Sequence, residues 1–121
     1  MIRKEIEMTI KIFHNPKCKH SRMGLEKLKS ITTEFEIREY LKKSITPLEI
    51  NEIVMKLNLP ITEIVRDKED YFRKNLKGKQ FLHDEWVKII CENPCLLKRP
   101  IIVGHYKAII GIPPEQIENI K

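Results

Sequence analysis

Glycine is scarce, with four residues in a chain of 121. No glycine-rich loop is present to cradle a nucleotide phosphate. Cysteine is sparse and odd in number, three residues, which argues against a disulfide-stapled secreted scaffold. In a reducing compartment all three rest as thiols. Long apolar runs are missing, and the longest falls far short of the roughly 20 residues that cross a membrane. The first eight residues carry Glu5 and Glu7 and no apolar core, unlike a signal peptide. A cytoplasmic protein with no membrane association is therefore expected. Internal repeats and low-complexity stretches are absent as well.

The charge is +6 and the pI about 9.3, a balance that invites a nucleic-acid reading. The cations are spread, however. Residues 1–60 hold 12 Lys/Arg against 8 Asp/Glu, and residues 61–121 hold 11 against 9. With no basic block and no Lys/Arg-Gly-Phe signature, direct nucleic-acid binding is not expected, and local attraction of small anions fits better. A content of 41% hydrophobic and 33% charged residues suits one globular domain over 1–121, expected to be a monomer.

Hydropathy patterning gives an order of elements. Thr9–Phe13 alternates and is β-branched, a strand. His14–Cys18 is a turn punctuated by Pro16. A helix follows from about Lys19 to Ile31, with Met23, Leu25, Leu28 and Ile31 as its apolar positions. Phe35–Tyr40 is a second alternating strand, with Phe35, Ile37 and Tyr40 toward the core. Thr46-Pro47 with Glu49 marks a helix start, and Ile50, Ile53, Val54 and Leu57 form its apolar face. Thr62–Arg66 suggests a second short helix. Tyr71–Phe81 reads as irregular, with Gly78 at a bend. His83-Asp84 caps a helix that carries Trp86, Ile89 and Ile90 and stops at Asn93-Pro94. Pro100–Val103 and Lys107–Ile110 form a hairpin, and Pro113 opens a terminal helix. The order is βαβ, a helical insertion over about 46–95, then ββα. This is an α/β, thioredoxin-like mixed sheet, preceded by an extension over 1–8.

Cys18 sits where the first strand hands over to the first helix. Unpaired N–H groups and the helix dipole favour an anion there, and a thiolate is the nucleophilic form of cysteine. Lys17, Lys19, Arg22, His14 and His20 surround it without a carboxylate. The motif Cys18-Lys-His-Ser21 has serine where a dithiol oxidoreductase has its second cysteine, so oxidised Cys18 needs an external thiol or a distant cysteine. Ser21 either donates to the thiolate or is a first-turn helix serine. His14 either lies beside the sulfur and shares its charge or holds turn backbone. The phosphatase loop Cys-x5-Arg is excluded, because Gly24 stands six residues after Cys18.

Arg99-Pro100 opens the first strand of the hairpin, beside the cysteine in a thioredoxin-like sheet, where the proline bond is commonly cis. Arg99 is either aimed at the sulfur's substrate, where it can grip an oxyanion with two hydrogen bonds, or a surface arginine. Cys91 and Cys95 are four apart near a helix end and with His83 raise the question of zinc. Their apolar neighbours Ile89, Ile90, Leu96 and Leu97 favour core packing, and no metal is expected.

Ile12-Phe-His-Asn-Pro-Lys-Cys-Lys-His-Ser-Arg22 resembles the opening of the glutaredoxin-coupled arsenate reductase (ArsC) family. Leu96-Leu-Lys-Arg-Pro-Ile-Ile-Val103 resembles its second signature, and Gly111-Ile-Pro-Pro-Glu115 the segment near its end. The resemblance implies that Cys18 attacks arsenate, that glutathione as co-substrate attacks the adduct, and that glutaredoxin regenerates the enzyme, with no bound cofactor. It also implies three arginines on the small oxyanion substrate. Arg66 and Arg99 fall at the first two positions, and Ile112 stands at the third. The same superfamily holds Spx-type transcriptional regulators, which usually carry Cys-x-x-Cys where this chain has Cys18 and Ser21. A non-enzymatic regulator and a thiol sensor are the alternatives.

Overall fold

A computed structural model describes residues 9–120; the expected 1–8 extension lies outside the described residues. The chain forms two compact units. The first joins the stretch ending at Tyr40 to the stretch beginning at Arg99, and the second is Leu41–Lys98.

In the first unit, β1 (Ile10–Phe13), α1 (Lys19–Ile31) and β2 (Phe35–Arg38) form the βαβ half. β3 (Ile101–Val103), β4 (Ala108–Ile110) and a closing 3-10 helix, Pro114–Ile120, form the other. The sheet order is β2-β1-β3-β4, with β1–β2 parallel and β1–β3 and β3–β4 antiparallel. A parallel pair needs a crossover, which α1 provides. Ile12 faces Ile37 on one side and Ile102 on the other. Ile12, Leu28, Ile102, Ile109, Ile117 and Ile120 make the core. This is the α/β, thioredoxin-like sheet expected.

Two packing expectations need correction. Met23 is 43% exposed, and the inward row of α1 is Ser21, Gly24 and Leu28. Those positions are three and four apart, one helical face, and Met23 lies off it. Ile37 is 44% exposed, because β2 is an outer strand with a neighbour on one side only. Tyr40, just beyond the strand, is fully buried. The C-terminal segment is a 3-10 helix beginning at Pro114, one residue after the position expected for an α-helix.

The second unit is helical. α2 (Pro47–Leu57) begins with a reciprocal cap. The Glu49 N–H donates to Thr46 Oγ1 at 3.1 Å, and Glu49 Oε1 accepts from the Thr46 N–H at 2.9 Å. Such a box satisfies two otherwise orphaned donors. Ile50 and Ile53 are buried, and the helix ends at Asn58 in the left-handed region, φ 58. The short helix expected near 62–66 is a 3-10 turn over Ile61–Ile64. The stretch expected to be irregular begins instead with α3 (Asp70–Asn75). An Arg73–Asp70 ion pair spans that helix, and Phe72 stacks on Trp86 with ring centroids 6.4 Å apart. Gly78, φ 80, makes the bend. α4 (His83–Glu92) is not capped by His83-Asp84; Glu85 Oε1 accepts the Leu82 N–H at 2.7 Å instead. Among the described residues no helix is long and apolar enough to cross a membrane.

Candidate active site

The loop between β1 and α1 is shaped by Asn15. Its carbonyl accepts the Cys18 N–H at 3.0 Å, and its Oδ1 accepts the Lys17 N–H at 3.0 Å. Asparagine favours such turns because its side chain imitates a peptide carbonyl. Cys18 is thereby left in an extended conformation as the first residue outside α1. Its partial burial pushes the thiol pKa up. The Arg99 side chain, the backbone N–H groups of Ser21 and His20, and the Arg99 charge all pull it down and together more than reverse this. The net result is a thiol held below its ordinary range. Of the cations adjacent in sequence, Lys17 and Lys19 are exposed, and Arg22 donates to the Pro16 carbonyl at 3.1 Å.

Ser21 divides its work. Its N–H serves the sulfur. Its buried Oγ accepts the Asn15 N–H at 2.9 Å and lies 2.9 Å from His14 Nδ1. With the imidazole proton on Nε2, the Ser21 hydroxyl donates to Nδ1; with it on Nδ1, the imidazole donates and the hydroxyl is released. His14 is buried, and its N–H donates to the Arg38 carbonyl at 3.0 Å. Burial lowers its pKa, against a smaller upward pull from Glu39.

The Arg99-Pro100 bond is cis, as is Ile112-Pro113. Pro100 is buried, and its carbonyl accepts the Gly111 N–H at 2.9 Å. Its ring packs closely against two glycines. A Cβ on Gly111 would stand 3.0 Å from Pro100 Cγ, and a Cβ on Gly24 would overlap the same atom. Sequence reasoning used Gly24 only to exclude an arginine. The available signal was a glycine inside an otherwise good helix, which asks for a packing reason.

Cys18, Ser21, His14, Arg99 and Pro100 are thus brought together within the first unit. Arg66 belongs to the second unit and has partners of its own. Its N–H donates to the Leu96 carbonyl at 2.7 Å, and its Nη1 donates to Glu69 Oε2 at 2.5 Å and to the Cys95 carbonyl at 3.3 Å. Ile112 is 41% exposed. Cys91 has its thiol pKa raised, first by burial and then by Glu49 and Glu92. His83 Nε2 lies 2.7 Å from Asn51 Oδ1. Among the described residues, no three His, Cys, Asp or Glu side chains are grouped to hold a metal ion.

The family model for the ArsC family matches residues 13–120. The chain is 34% identical over 113 residues to an arsenate reductase of Neisseria meningitidis, covering 92% of this chain and 97% of that one. It is 33% identical over 115 residues to an arsenate reductase of Haemophilus influenzae, covering 93% and 99%. Its fold is similar to that of an arsenate reductase from Vibrio cholerae, with a TM-score of 0.87 and 33% identity over 94% of this chain and 98% of that one.

Proposed function

Because the chain belongs to the ArsC family, we propose that it is a thiol oxidoreductase whose working group is the Cys18 thiolate, with arsenate as substrate and glutathione and glutaredoxin as reductants. The observation that carries this reading is the place of Cys18 at the start of α1, with its thiol pKa lowered by Arg99 and by the Ser21 and His20 N–H groups. A depressed thiol pKa at a helix start supplies the nucleophile at neutral pH.

The sulfur attacks arsenic and an arsenate oxygen leaves as water, giving a Cys18–S–As(V) adduct. Glutathione thiolate then attacks the Cys18 sulfur. The S–As bond breaks, arsenic keeps the electron pair and departs as arsenite, and a Cys18–glutathione disulfide remains. A glutaredoxin thiol reduces that disulfide. Arsenic gains the two electrons that the two thiols lose. Arg99 serves both the thiolate and the incoming oxyanion, and a guanidinium suits the second task because its fork matches two oxygens. Arg66 is the second cation this reading assigns to the oxyanion, and Glu69 must share it.

A second reading is favoured by two departures, the Arg66–Glu69 pair and Ile112 where the family arginine is expected. A multiply charged oxyanion asks for several cations, whereas a disulfide asks only for a good thiolate. Under this reading Cys18 attacks a glutathione-linked disulfide, the partner thiolate leaves, and a second glutathione releases oxidised glutathione and Cys18. Parallel assays separate the readings: arsenite formation with glutathione and glutaredoxin, and reduction of a small glutathione mixed disulfide, each beside Cys18→Ser. Cys18-dependent arsenite formation supports the first. Turnover of the disulfide alone supports the second. Turnover of neither overturns both and leaves a non-enzymatic regulator or a thiol sensor.

A further inference from the structure

Gly24 is an anomaly in α1. Glycine is among the poorest helix formers, yet it occupies a buried position in the middle of a thirteen-residue helix. The vacancy left by its missing side chain is filled by the Pro100 ring. Gly111 is a second close neighbour of the ring, where a Cβ would meet Pro100 Cγ at 3.0 Å, Ile117 Cδ1 at 3.0 Å and Ile102 Cδ1 at 3.1 Å. Its N–H also ties down the Pro100 carbonyl. The ring is therefore packed against both glycine positions and its peptide anchored. Arg99 is joined to that ring by the preceding peptide bond, and its side chain is the foremost influence lowering the Cys18 thiol pKa.

We propose that Gly24 is a positioning residue for the working thiol: with Gly111 it forms a slot that seats the Pro100 ring, and the seated ring holds the Arg99 guanidinium against the Cys18 sulfur. The assignment rests on the reading of Cys18 as the working group. Gly24 touches neither the sulfur nor a substrate and acts through Pro100. Packed interiors transmit a displacement of even one methyl group, and the nearest atom a new Cβ would strike belongs to a rigid ring rather than to a flexible chain end.

The test is the pH dependence of iodoacetamide alkylation of Cys18, in a Cys91→Ser/Cys95→Ser background so that a single thiol reacts. Gly24→Ala should raise the alkylation midpoint toward that of Arg99→Ala and slow alkylation at pH 7 several-fold. In the Arg99→Ala background the same substitution should leave the midpoint where it is. A midpoint unmoved by Gly24→Ala, or moved equally in both backgrounds, overturns the proposal, since a purely structural glycine changes Tm and not this coupling. Should Gly24→Ala fail to fold, Gly111→Ala with Ile117→Val presses the same ring through the second glycine with room made for the new methyl, and the same two outcomes decide. The readout uses no substrate, so failure of arsenate or disulfide turnover leaves it intact.

Discussion

His14 Nδ1 and Ser21 Oγ stand 2.9 Å apart, both buried, seven residues apart in sequence and on either side of Cys18. The same oxygen accepts the Asn15 N–H, so one hydroxyl holds the loop that presents the sulfur. Ser21→Ala strands two buried polar groups. It should cost about 1–3 kcal/mol of stability, read as a lower urea midpoint. The thiol midpoint should move little, because the residue-21 N–H that reaches the sulfur survives the substitution. A large shift in thiol acidity with no loss of stability would show that the hydroxyl, and not the N–H, serves Cys18.

The His14 pKa is lowered from 6.5, chiefly by burial. The fold favours neutral imidazole, so its contribution is fully present above 6.5 and is lost as pH falls through the folded value. Wild-type protein should therefore lose urea resistance below that pH more steeply than His14→Asn, which keeps a polar group near Nδ1 and does not titrate. Parallel pH profiles for the two proteins would contradict the assignment.

For Cys18 the sign is set the same way. The folded thiol pKa is depressed, so the thiolate contributes stability that is present above the ordinary thiol value, about 8.5, and lost as pH falls through the folded value. Arg99→Met removes a charge-assisted hydrogen bond and the charge itself. Its alkylation midpoint should rise toward the free-thiol range, while burial, which pushes the thiol up, remains. An unchanged midpoint would assign the acidity to the helix-start N–H groups alone.

Ile112→Arg restores the cation that the family resemblance implies. If arsenate is the substrate, affinity should improve by about one to two decades, the worth of one charge-assisted contact. Steady-state kinetics of arsenite formation measure it. Unchanged kinetics in folded protein would favour the disulfide substrate.

Oxidised Cys18 should end as a mixed disulfide with glutathione, because Ser21 carries no thiol and Cys91 has its thiol pushed toward the protonated, unreactive form. Intact mass after mild oxidation with glutathione should show a gain of one glutathione. Loss of two hydrogens, abolished by Cys91→Ser or Cys95→Ser, would show an internal bridge instead.

The elements that sequence made legible are those governed by neighbours along the chain. Pro16 and Cys18 mark the start of α1, and Thr46-Pro47-Glu49 marks α2, since capping is a matter of a few adjacent residues. What stayed hidden depends on distant partners. α3 is held in part by Phe72 stacking on Trp86, fourteen positions further on, and polar composition alone reads as loop. Met23 looks like a core residue until the inward row of α1 is seen to be Ser21, Gly24 and Leu28. At the candidate site, Cys18 and Arg99 were readable as a pair from fold class. The packing on Pro100 was not, because it joins residues from three separate segments. Glu69 lies three residues from Arg66 across a turn, its N–H on the Arg66 carbonyl at 3.3 Å, so that pair was open to the sequence though not drawn from it.

Trp86 is the chain's one tryptophan. It is buried in the second unit, with Phe72 stacked on it and Phe81 edge-on at 5.0 Å. Its emission therefore reports on the packing of that unit, while the alkylation rate of Cys18 reports on the other. The molecule carries a separate intrinsic reporter in each unit, and titrating both in one denaturant series distinguishes a single cooperative transition from two.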